Sequence, residues 1–525
     1  MPNRTLPQHP DLDQLKRQAK ELLRSARTGD AAGLRRFQVL PGFARSTEED
    51  LRRATLSLHD AQSVIAREHG FASWNLLSEQ VTALTLGFDE ALREFVEAAT
   101  DGRVDRAGRL LKLHPRIARA SFHAALVLGD AKLVGKWLTQ DASRALKPDG
   151  PRGWEPLLYV CHSSLARTTA TSADGSVAIA RQLLTLGADP NMRFPWLHHG
   201  VRRPVLWGAV HVAHLLPLAE LLLQAGADPN DGVTLPLAAA GDIAALDLLL
   251  SFGADPNQPW ATDGAAALYA VLHWATTPTG IYWLLEHGAH PDPVFTPNGE
   301  TPLHVVAKRW DAQMADALVS RGADLNRRRA DGRTPYAVAE INGNLAVADW
   351  LRSRGASAEL HPVDRVVAAC GRGDRKSAEA LLAAQPNLRA EYATEHYAAL
   401  YRAAESGDSR MLEDLLACGL DPNRGDEEIG KTALHCAAMA GRADGVRILL
   451  AHGASPACRD REFKGTPLVW AAEGARMHGD RRADYRRVGE ILLAAGSPVD
   501  WQPGEEPGEA ILEIIDGWRN LERAE

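Results

Sequence analysis

The sequence has little lysine, few cysteines and few aromatic residues. Only ten of its 59 basic residues are lysine, and aromatic residues make up 6% of the chain. The cysteines are odd in number, form no CxxC pair and have no histidine at a zinc-like spacing, which argues against a disulfide framework or a structural metal. We therefore expect five reduced, small, buried residues: Cys161, Cys370, Cys418, Cys436 and Cys458.

Long hydrophobic runs and targeting signals are also missing. No apolar stretch reaches the roughly 18 to 20 residues of a membrane span, and no early segment combines a basic region, an apolar core and a cleavage site. We expect a cytoplasmic protein without membrane contact. The excess of arginine over lysine, together with abundant alanine, is typical of GC-rich bacterial genomes and indicates a bacterial origin.

The charge balance is mildly acidic. The chain carries 59 basic and 67 acidic side chains, a formal net charge of -8. It has no general positive field that would attract nucleic acid, so such a partner would need a local basic stripe that the sequence does not show. Gly-rich phosphate loops, GxSxG and HExxH are absent, so we expect no enzymatic activity, no cofactor and no metal.

What the chain has instead is a repeat of about 33 residues. Leucine pairs precede Gly-Ala-Asp-Pro-Asn at Gly187, Gly226 and Gly253, and related copies begin at Gly288 and Gly322. In each copy the leucines supply a buried stripe. Glycine then ends the helix, because it adopts a left-handed conformation without a Cβ penalty.

A second motif recurs with the same period as the first. It reads Thr-Pro-Leu-His from Thr301 and recurs in related form from Thr334, Thr432 and Thr466. Threonine can cap a helix through its hydroxyl, and proline suits the first helical position, so each copy predicts a helix start.

Both motifs together resemble the ankyrin repeat, a unit of two antiparallel helices and a hairpin-like loop. The resemblance covers roughly residues 150–500 and implies an all-α solenoid of stacked helix-turn-helix units. It also implies that His304 and His435 bridge backbone groups of adjacent repeats. The stretch from Asp60 to Trp74 resembles a segment that precedes the repeats in many bacterial ankyrin proteins.

We divide the chain into three parts. Residues 1–85 are predicted to form a helical cap, with helices from Leu12 to Arg27 and from Glu48 to His69, and with Phe71, Trp74 and Leu77 on one apolar face. Residues 86–503 are predicted to hold about twelve repeat units, of which the first two, the one near 363–387 and the last are degenerate. Residues 504–525 are predicted to form a terminal helix with an acidic face.

The repeat phase identifies candidate binding residues. By the resemblance, three positions of each first helix face a concave groove, and here they are rich in aromatic and histidine residues. The candidates are Tyr159, His162, Trp207, His211, His273, Trp274, Lys308, Arg309 and Trp470. Insertions after His162, from Met192 to Arg202 and from Ala475 to Arg487 add loops, the last of them basic.

Two interpretations of this strip stay open: side chains that pack against one another, or a recognition surface, since Trp, Tyr and Arg dominate binding hot spots. We favour a monomeric, non-enzymatic scaffold that binds a protein partner in the groove. The alternative function is an enzyme or small-molecule binder with a Trp/His-lined pocket.

Arg327-Arg328-Arg329 is expected to be a solvated loop, with an acidic-peptide or phosphate contact as the alternative. His211 and His214 could share a helix face, but a surface or packing role is preferred to metal binding.

Overall fold

A computed structural model describes residues 6–7, 10–40, 43–44, 46–54, 56, 58–195, 202–261, 264–477 and 482–498. The chain divides into two compact units. Unit 1 comprises Met1–Gln18 and Gln62–Phe295, and unit 2 comprises Ala19–Ala61 and Thr296–Glu525. The predicted terminal helix at 504–525 lies outside the described residues.

Helices dominate both units. Before the repeats stand α1 (Leu12–Arg27), α2 (Ala31–Arg36), α3 (Glu48–Arg53), α4 (Leu58–Glu68) and α5 (Trp74–Thr85).

Six helix pairs follow in unit 1: α6 (Phe88–Thr100) with α7 (Val104–Leu113), α8 (Phe122–Leu128) with α9 (Ala131–Gln140), α10 (Pro156–Cys161) with α11 (Ala170–Thr185), α12 (Val205–His211) with α13 (Leu216–Gln224), α14 (Thr234–Ala238) with α15 (Ile243–Ser251), and α16 (Ala267–Trp274) with α17 (Thr279–Glu286).

The described residues of unit 2 form six more pairs: α18 (Pro302–Arg309) with α19 (Ala312–Val319), α20 (Pro335–Ile341) with α21 (Leu345–Ser353), α22 (Pro362–Gly371) with α23 (Arg375–Ala384), α24 (Thr394–Ser406) with α25 (Ser409–Ala417), α26 (Ala433–Met439) with α27 (Ala443–Ala451), and α28 (Pro467–Met477) with α29 (Arg482–Ala494). The fold class is all-α, as the sequence predicts.

The two named strands of the described chain form one hairpin, between α11 and α12. Strand β1 (Arg193–Pro195) pairs antiparallel with β2 (Arg202–Pro204), and Phe194 stands opposite Arg203. The insertion predicted at 192–202 therefore becomes a β-hairpin in its described part. Its Trp196, His198 and His199 lie outside the described residues.

The first helix of a pair begins where the Thr-Pro-Leu-His motif predicts. At α18, the Thr301 backbone N–H donates to His304 Nδ1 at 3.2 Å, and His304 Nε2 donates to Arg333 O of the next repeat at 3.2 Å. His435 repeats the arrangement with Thr432 N and Gly465 O, each at 3.1 Å. The structural, repeat-bridging role expected for both histidines is confirmed.

The second helix ends where the leucine and glycine motif predicts. Leu246 and Leu249 of α15 are fully buried. Gly253 has a φ of 87° just after the helix, and the next residue, Ala254, donates its N–H to Leu249 O at 3.0 Å. This bond satisfies one of the carbonyls that a helix end leaves open.

The asparagine of each Asp-Pro-Asn turn ties consecutive loops together. Asn257 Nδ2 donates to Gly288 O at 3.0 Å, and Asn257 Oδ1 accepts from His290 N at 2.7 Å. Asn191, Asn230 and Asn423 make the same pair of bonds with the loops that follow them. One amide thus satisfies a donor and an acceptor of the neighbouring repeat.

The N-terminal region follows the prediction in part. Helix α1 has the predicted bounds, and Trp74 and Leu77 are buried in α5, where Arg106 of α7 donates to Glu79 O at 2.8 Å. The single helix predicted from Glu48 to His69 is wrong, because the chain leaves the helix at Ala54, whose ψ is 142°. Leu51 and Leu56 are both buried, whereas five residues of unbroken helix would turn them about 140° apart.

Three smaller expectations need correction. The polar stretch up to Ser176 is not an open loop, because Thr169 caps α11 by accepting a bond from Ser172 N at 3.1 Å. The predicted basic loop from Ala475 to Arg487 is largely helical, since its described residues fall in α28 and α29. Among the five free cysteines, Cys458 is only half-buried, while the other four are buried.

Candidate functional site

A cavity of about 800 Å³ opens on unit 1 beside the first helices α10 and α12. Its wall includes three predicted residues, His162, Trp207 and His211, together with Trp154 and Phe194. The ring centroid of His162 lies 5.5 Å from that of Trp154, 4.7 Å from that of Phe194 and 5.8 Å from that of Trp207. The Trp154 and Phe194 centroids are 4.5 Å apart. These four side chains therefore form one aromatic cluster.

His162 is the most deeply placed polar group of this cluster. It is 1% exposed, and its Nδ1 lies 2.9 Å from Leu158 O. A carbonyl only accepts, so Nδ1 carries the proton, and burial lowers the pKa of His162 to about 3. The ring is neutral at pH 7, and Nε2 is left as an acceptor that makes no hydrogen bond.

Gly208 makes room for this ring. A Cβ built on Gly208 of α12 would lie 2.5 Å from Cε1 and 2.8 Å from Nε2 of His162. Any other residue at this position would push the ring out of place.

His211 is half-buried one turn after Trp207, and their ring centroids are 5.6 Å apart. Its Nε2 donates to Thr234 O of the next repeat at 3.2 Å, and burial lowers the pKa of His211 to about 4. His214, at a φ of 49°, also lines the cavity. Across the described residues, no three metal-ligating side chains gather into a cluster.

Arginines surround the aromatic cluster. The Arg203 guanidinium lies 3.8 Å from the ring centroid of Trp207, and that of Arg152 lies 5.2 Å from the ring centroid of Trp154. Burial lowers the pKa of Arg203 to about 10. Arg167, which is exposed, lines the cavity as well.

Two acids share the cavity wall with these arginines. Asp101 forms an ion pair with Arg152, which also donates to Thr100 Oγ1 at 2.8 Å, and Glu97 is half-buried nearby on α6. Three formal positive and two negative charges therefore line the cavity at pH 7, with the histidines neutral.

Tyr159 lies beneath the cavity rather than on its surface. It is fully buried, its hydroxyl donates to Asp149 O at 2.9 Å, and it accepts from Arg152 N at 2.9 Å. Its full burial corrects the expectation that Tyr159 lies on the exposed face of the groove. Its effect is to hold the loop that carries Arg152 and Trp154.

Helix α16 is the first helix of the last pair in unit 1, and it carries His273 and Trp274. His273 is exposed and packs its ring 4.7 Å from that of Tyr269, while the half-buried Trp274 lies 6.4 Å from Trp260. Neither residue lines the cavity. They form a separate aromatic surface of unit 1.

Two of the three candidates in unit 2 have polar partners, and the third contacts an aromatic ring. Lys308 pairs with the buried Glu300, Arg309 is exposed with its guanidinium 5.9 Å from the ring of Trp310, and Trp470 donates from Nε1 to Asp460 Oδ2 at 3.0 Å.

Two arginines of the run Arg327-Arg328-Arg329 form ion pairs. Arg329 is 7% exposed and is ion-paired with Glu300, Asp331 and Glu395, and Arg328 pairs with Glu359 at 2.8 Å. The expectation of a solvated loop is therefore wrong for Arg329. Burying an arginine is costly unless several carboxylates surround it.

Sequence reasoning missed Trp154, Phe194, Arg152 and Arg203. None of them occupies a first-helix position, since two precede α10 and two lie in the hairpin. The tryptophan and arginine content of these loops was the only signal.

Comparison with known proteins identifies the repeats. A family model described as ankyrin repeats, in three copies, matches residues 269–361 and 400–479. No curated protein matches the chain. Within the described residues, no helix is both long enough and apolar enough to cross a membrane. The two matched stretches thus carry ankyrin repeats, and the fold class of the described residues is all-α, built of helix-turn-helix units.

Proposed function

We propose that the chain is a non-enzymatic protein-interaction scaffold and that a protein partner binds the first-helix face of its repeats. Ankyrin repeats are in general protein-interaction modules. The observation that carries the proposal is the aromatic character of the first helices of unit 1, where Trp207 lines the cavity and, separately from it, His273 is exposed and Trp274 is half-buried. Tryptophan and arginine dominate interface hot spots because they bury a large area with little loss of conformational freedom.

The polar groups of the cavity favour binding over catalysis. His162 and His211 have low pKa values because they are buried, and both hold backbone carbonyls. The hydroxyl of Ser164, which also lines the cavity, donates to Ala99 O at 2.7 Å. A general base works best with a pKa near the working pH. These groups instead stabilise the wall.

We also propose that the protein is cytoplasmic, monomeric and of bacterial origin. Five free cysteines fit a reducing compartment. Sedimentation of the purified chain tests the monomer.

The test of the scaffold compares two tryptophans of unit 1. Trp274 stands on first helix α16, and Trp137 is an equally half-buried residue on second helix α9. A partner is first captured with the full chain, and its affinity is then measured by calorimetry for each alanine variant. We expect Trp274→Ala to weaken binding by about 2 kcal/mol, roughly thirtyfold, while Trp137→Ala leaves it unchanged. Equal losses in both variants, or a loss explained by a lower melting temperature, would refute use of this face.

A further inference from the structure

A second cavity, of about 310 Å³, lies in unit 2 between the C-terminal turns of α1 and the first residue of α4. We call it the α1 cavity. Its volume is at the lower end of the range for ligand pockets, so it suits a single side chain better than a whole small molecule. The described residues that line it are Lys20, Leu23, Arg24, Arg27, Thr28 and Leu58, of which three are basic and none is acidic.

Two of the basic side chains have no counter-charge. Lys20 and Arg24 are exposed, and within the described residues neither side chain forms a hydrogen bond or an ion pair. One turn earlier on the same helix, Lys16 does pair with Asp13, at 3.2 Å. Like charges four residues apart on a helix repel each other, and the helix dipole favours cations in the last turn, which contains Arg24 and Arg27 but not Lys20. An anion bound between the two cations would remove their repulsion.

The third basic residue and two leucines build the wall of the α1 cavity. Arg27 Nη2 donates to Leu56 O at 3.2 Å, and this bond holds the segment before α4 against α1. Leu58, the first residue of α4, is 36% exposed and lines the cavity together with the buried Leu23. The cavity therefore offers an apolar surface beside its cations. A ligand that fills it needs an apolar group as well as negative charge.

The spacing of the cations indicates the shape of the anion. Lys20, Arg24 and Arg27 follow one another at intervals of four and three residues, which place them on one face of α1 at steps of about 6 and 4.5 Å along its axis. Glutamates at i, i+4 and i+7 of a partner helix repeat these steps. On a β-strand, residues of one face are about 6.6 Å apart, so the third carboxylate would pass the third cation. An acidic helix therefore matches the cations better than an acidic strand.

We propose that the α1 cavity binds an acidic helical segment of a partner protein, with its carboxylates facing the three cations and an apolar side chain packed against Leu58. Arg27 can take part because a guanidinium has five N–H groups, of which Leu56 O uses one. The N-terminal region thus has a binding role in addition to the predicted cap. This surface is distinct from the first-helix face of the proposed scaffold, so either proposal can fail without the other.

The test uses fluorescein-labelled, alanine-based peptides of about 15 residues, near the length at which isolated helices form, on the full chain at low salt. The first carries Glu-Ala-Ala-Leu-Glu-Ala-Ala-Glu, the second has glutamine in place of each glutamate, and the third has the same composition respaced as Glu-Ala-Glu-Leu-Ala-Glu-Ala-Ala. Fluorescence polarisation measures binding. With three exposed ion pairs, the first peptide should bind about tenfold more tightly than the second. It should bind about threefold more tightly than the third, whose glutamates do not share a helix face.

Arg24→Gln isolates one cation. Arg24 is exposed and its side chain makes no hydrogen bond within the described residues, so the variant is expected to fold. It should bind the glutamate peptide about twofold to fivefold more weakly, while binding of the glutamine peptide stays unchanged. The matched control is Arg17→Gln, an equal change of charge on the same helix at a position outside the cavity.

Leu58→Gln isolates the apolar contact. It should weaken binding of the glutamate and glutamine peptides by the same factor, about threefold to tenfold, because both peptides carry the leucine. Its control is Leu76→Gln on α5, since Leu76 is 39% exposed and does not line the cavity.

Four results would overturn the proposal. The first is a wild-type chain that binds all three peptides equally or binds none, and the second is an equal loss in the Arg17→Gln and Arg24→Gln variants. If the chain sediments with phosphatidylserine vesicles but does not bind the glutamate peptide, the cations face a membrane surface instead. If carbodiimide coupling of the dilute chain joins Lys20 to a glutamate within residues 504–525, the chain's own acidic terminus occupies the cavity. The scaffold function fails separately, through the Trp274 comparison.

Discussion

Replacing Gly280 by alanine tests how tightly successive repeats pack. Gly280 lies in the first turn of α17, and a Cβ built on it would sit 1.9 Å from Ala239 O and 2.6 Å from Ala239 C, at the end of α14 in the preceding repeat. Both atoms belong to backbone and cannot rotate away. Real Cβ contacts essentially never fall below 3.0 Å, so α17 must move by about 1.1 Å.

The expected cost is about 1 to 3 kcal/mol of unfolding free energy, the usual penalty for overfilling a packed interface. A Cβ built on Gly175 of the second helix α11 would likewise lie 1.8 Å from Gly129 O, at the end of α8 in the preceding repeat. The close contact is therefore a repeated feature of the packing.

The control is Gly108→Ala in α7, where a Cβ meets nothing within 4 Å. Alanine has a higher helix propensity than glycine, so this variant should gain up to about 1 kcal/mol. Urea unfolding followed by circular dichroism at 222 nm measures both. Opposite signs are expected, and a stabilised Gly280→Ala protein would refute the packing argument.

Two further predictions concern the links between repeats. Burial lowers the pKa of His304 to about 4 from an ordinary value of 6.5. The neutral ring therefore stabilises the fold above pH 6.5, and about 3 kcal/mol of unfolding free energy is lost as the pH falls from 6.5 to 4. His304→Gln should flatten this part of the profile of stability against pH, and an unchanged profile would contradict the prediction. Asn257→Ala removes two bonds to the next loop and should cost about 1 to 2 kcal/mol by urea unfolding, whereas Asn387→Ala, which loses one 3.4 Å bond to Glu391, should change little.

The repeat could be predicted from the sequence because its signals are local. Thr301 with Pro302 starts a helix, and Leu249 with Gly253 ends one, through interactions that span only a few residues. These helix starts and stops depend on nothing distant in the chain. The bridging role of His304 is different, because only the resemblance implies it and its acceptor, Arg333 O, lies 29 residues further along the chain.

The cavity could not be predicted because much of its wall comes from residues in loops and in the hairpin, which the positions of the first helices do not describe. The position of a residue in the repeat gives the direction of its Cβ atom but not how deeply its side chain is buried. It therefore predicted Tyr159 on the groove surface, whereas hydrogen bonds to Asp149 and Arg152 hold the side chain beneath that surface. Phe194 and Arg203 reach the cluster only because the hairpin brings them opposite each other. The cluster also needs Trp154 and His162, which lie about one repeat earlier in the chain.

The same backbone plan supports different chemistry at equivalent positions. The leucines of the second helices and the asparagines of the loops carry the repeat packing, so residues on the first helices are freer to vary. In unit 1 they join an aromatic cluster around His162. In unit 2, Lys308 joins an ion-paired network with Glu300 and Arg329. Because this variation is added to the packing, a change on an accessible part of a first helix, such as Trp274→Ala, should alter recognition without unfolding the array.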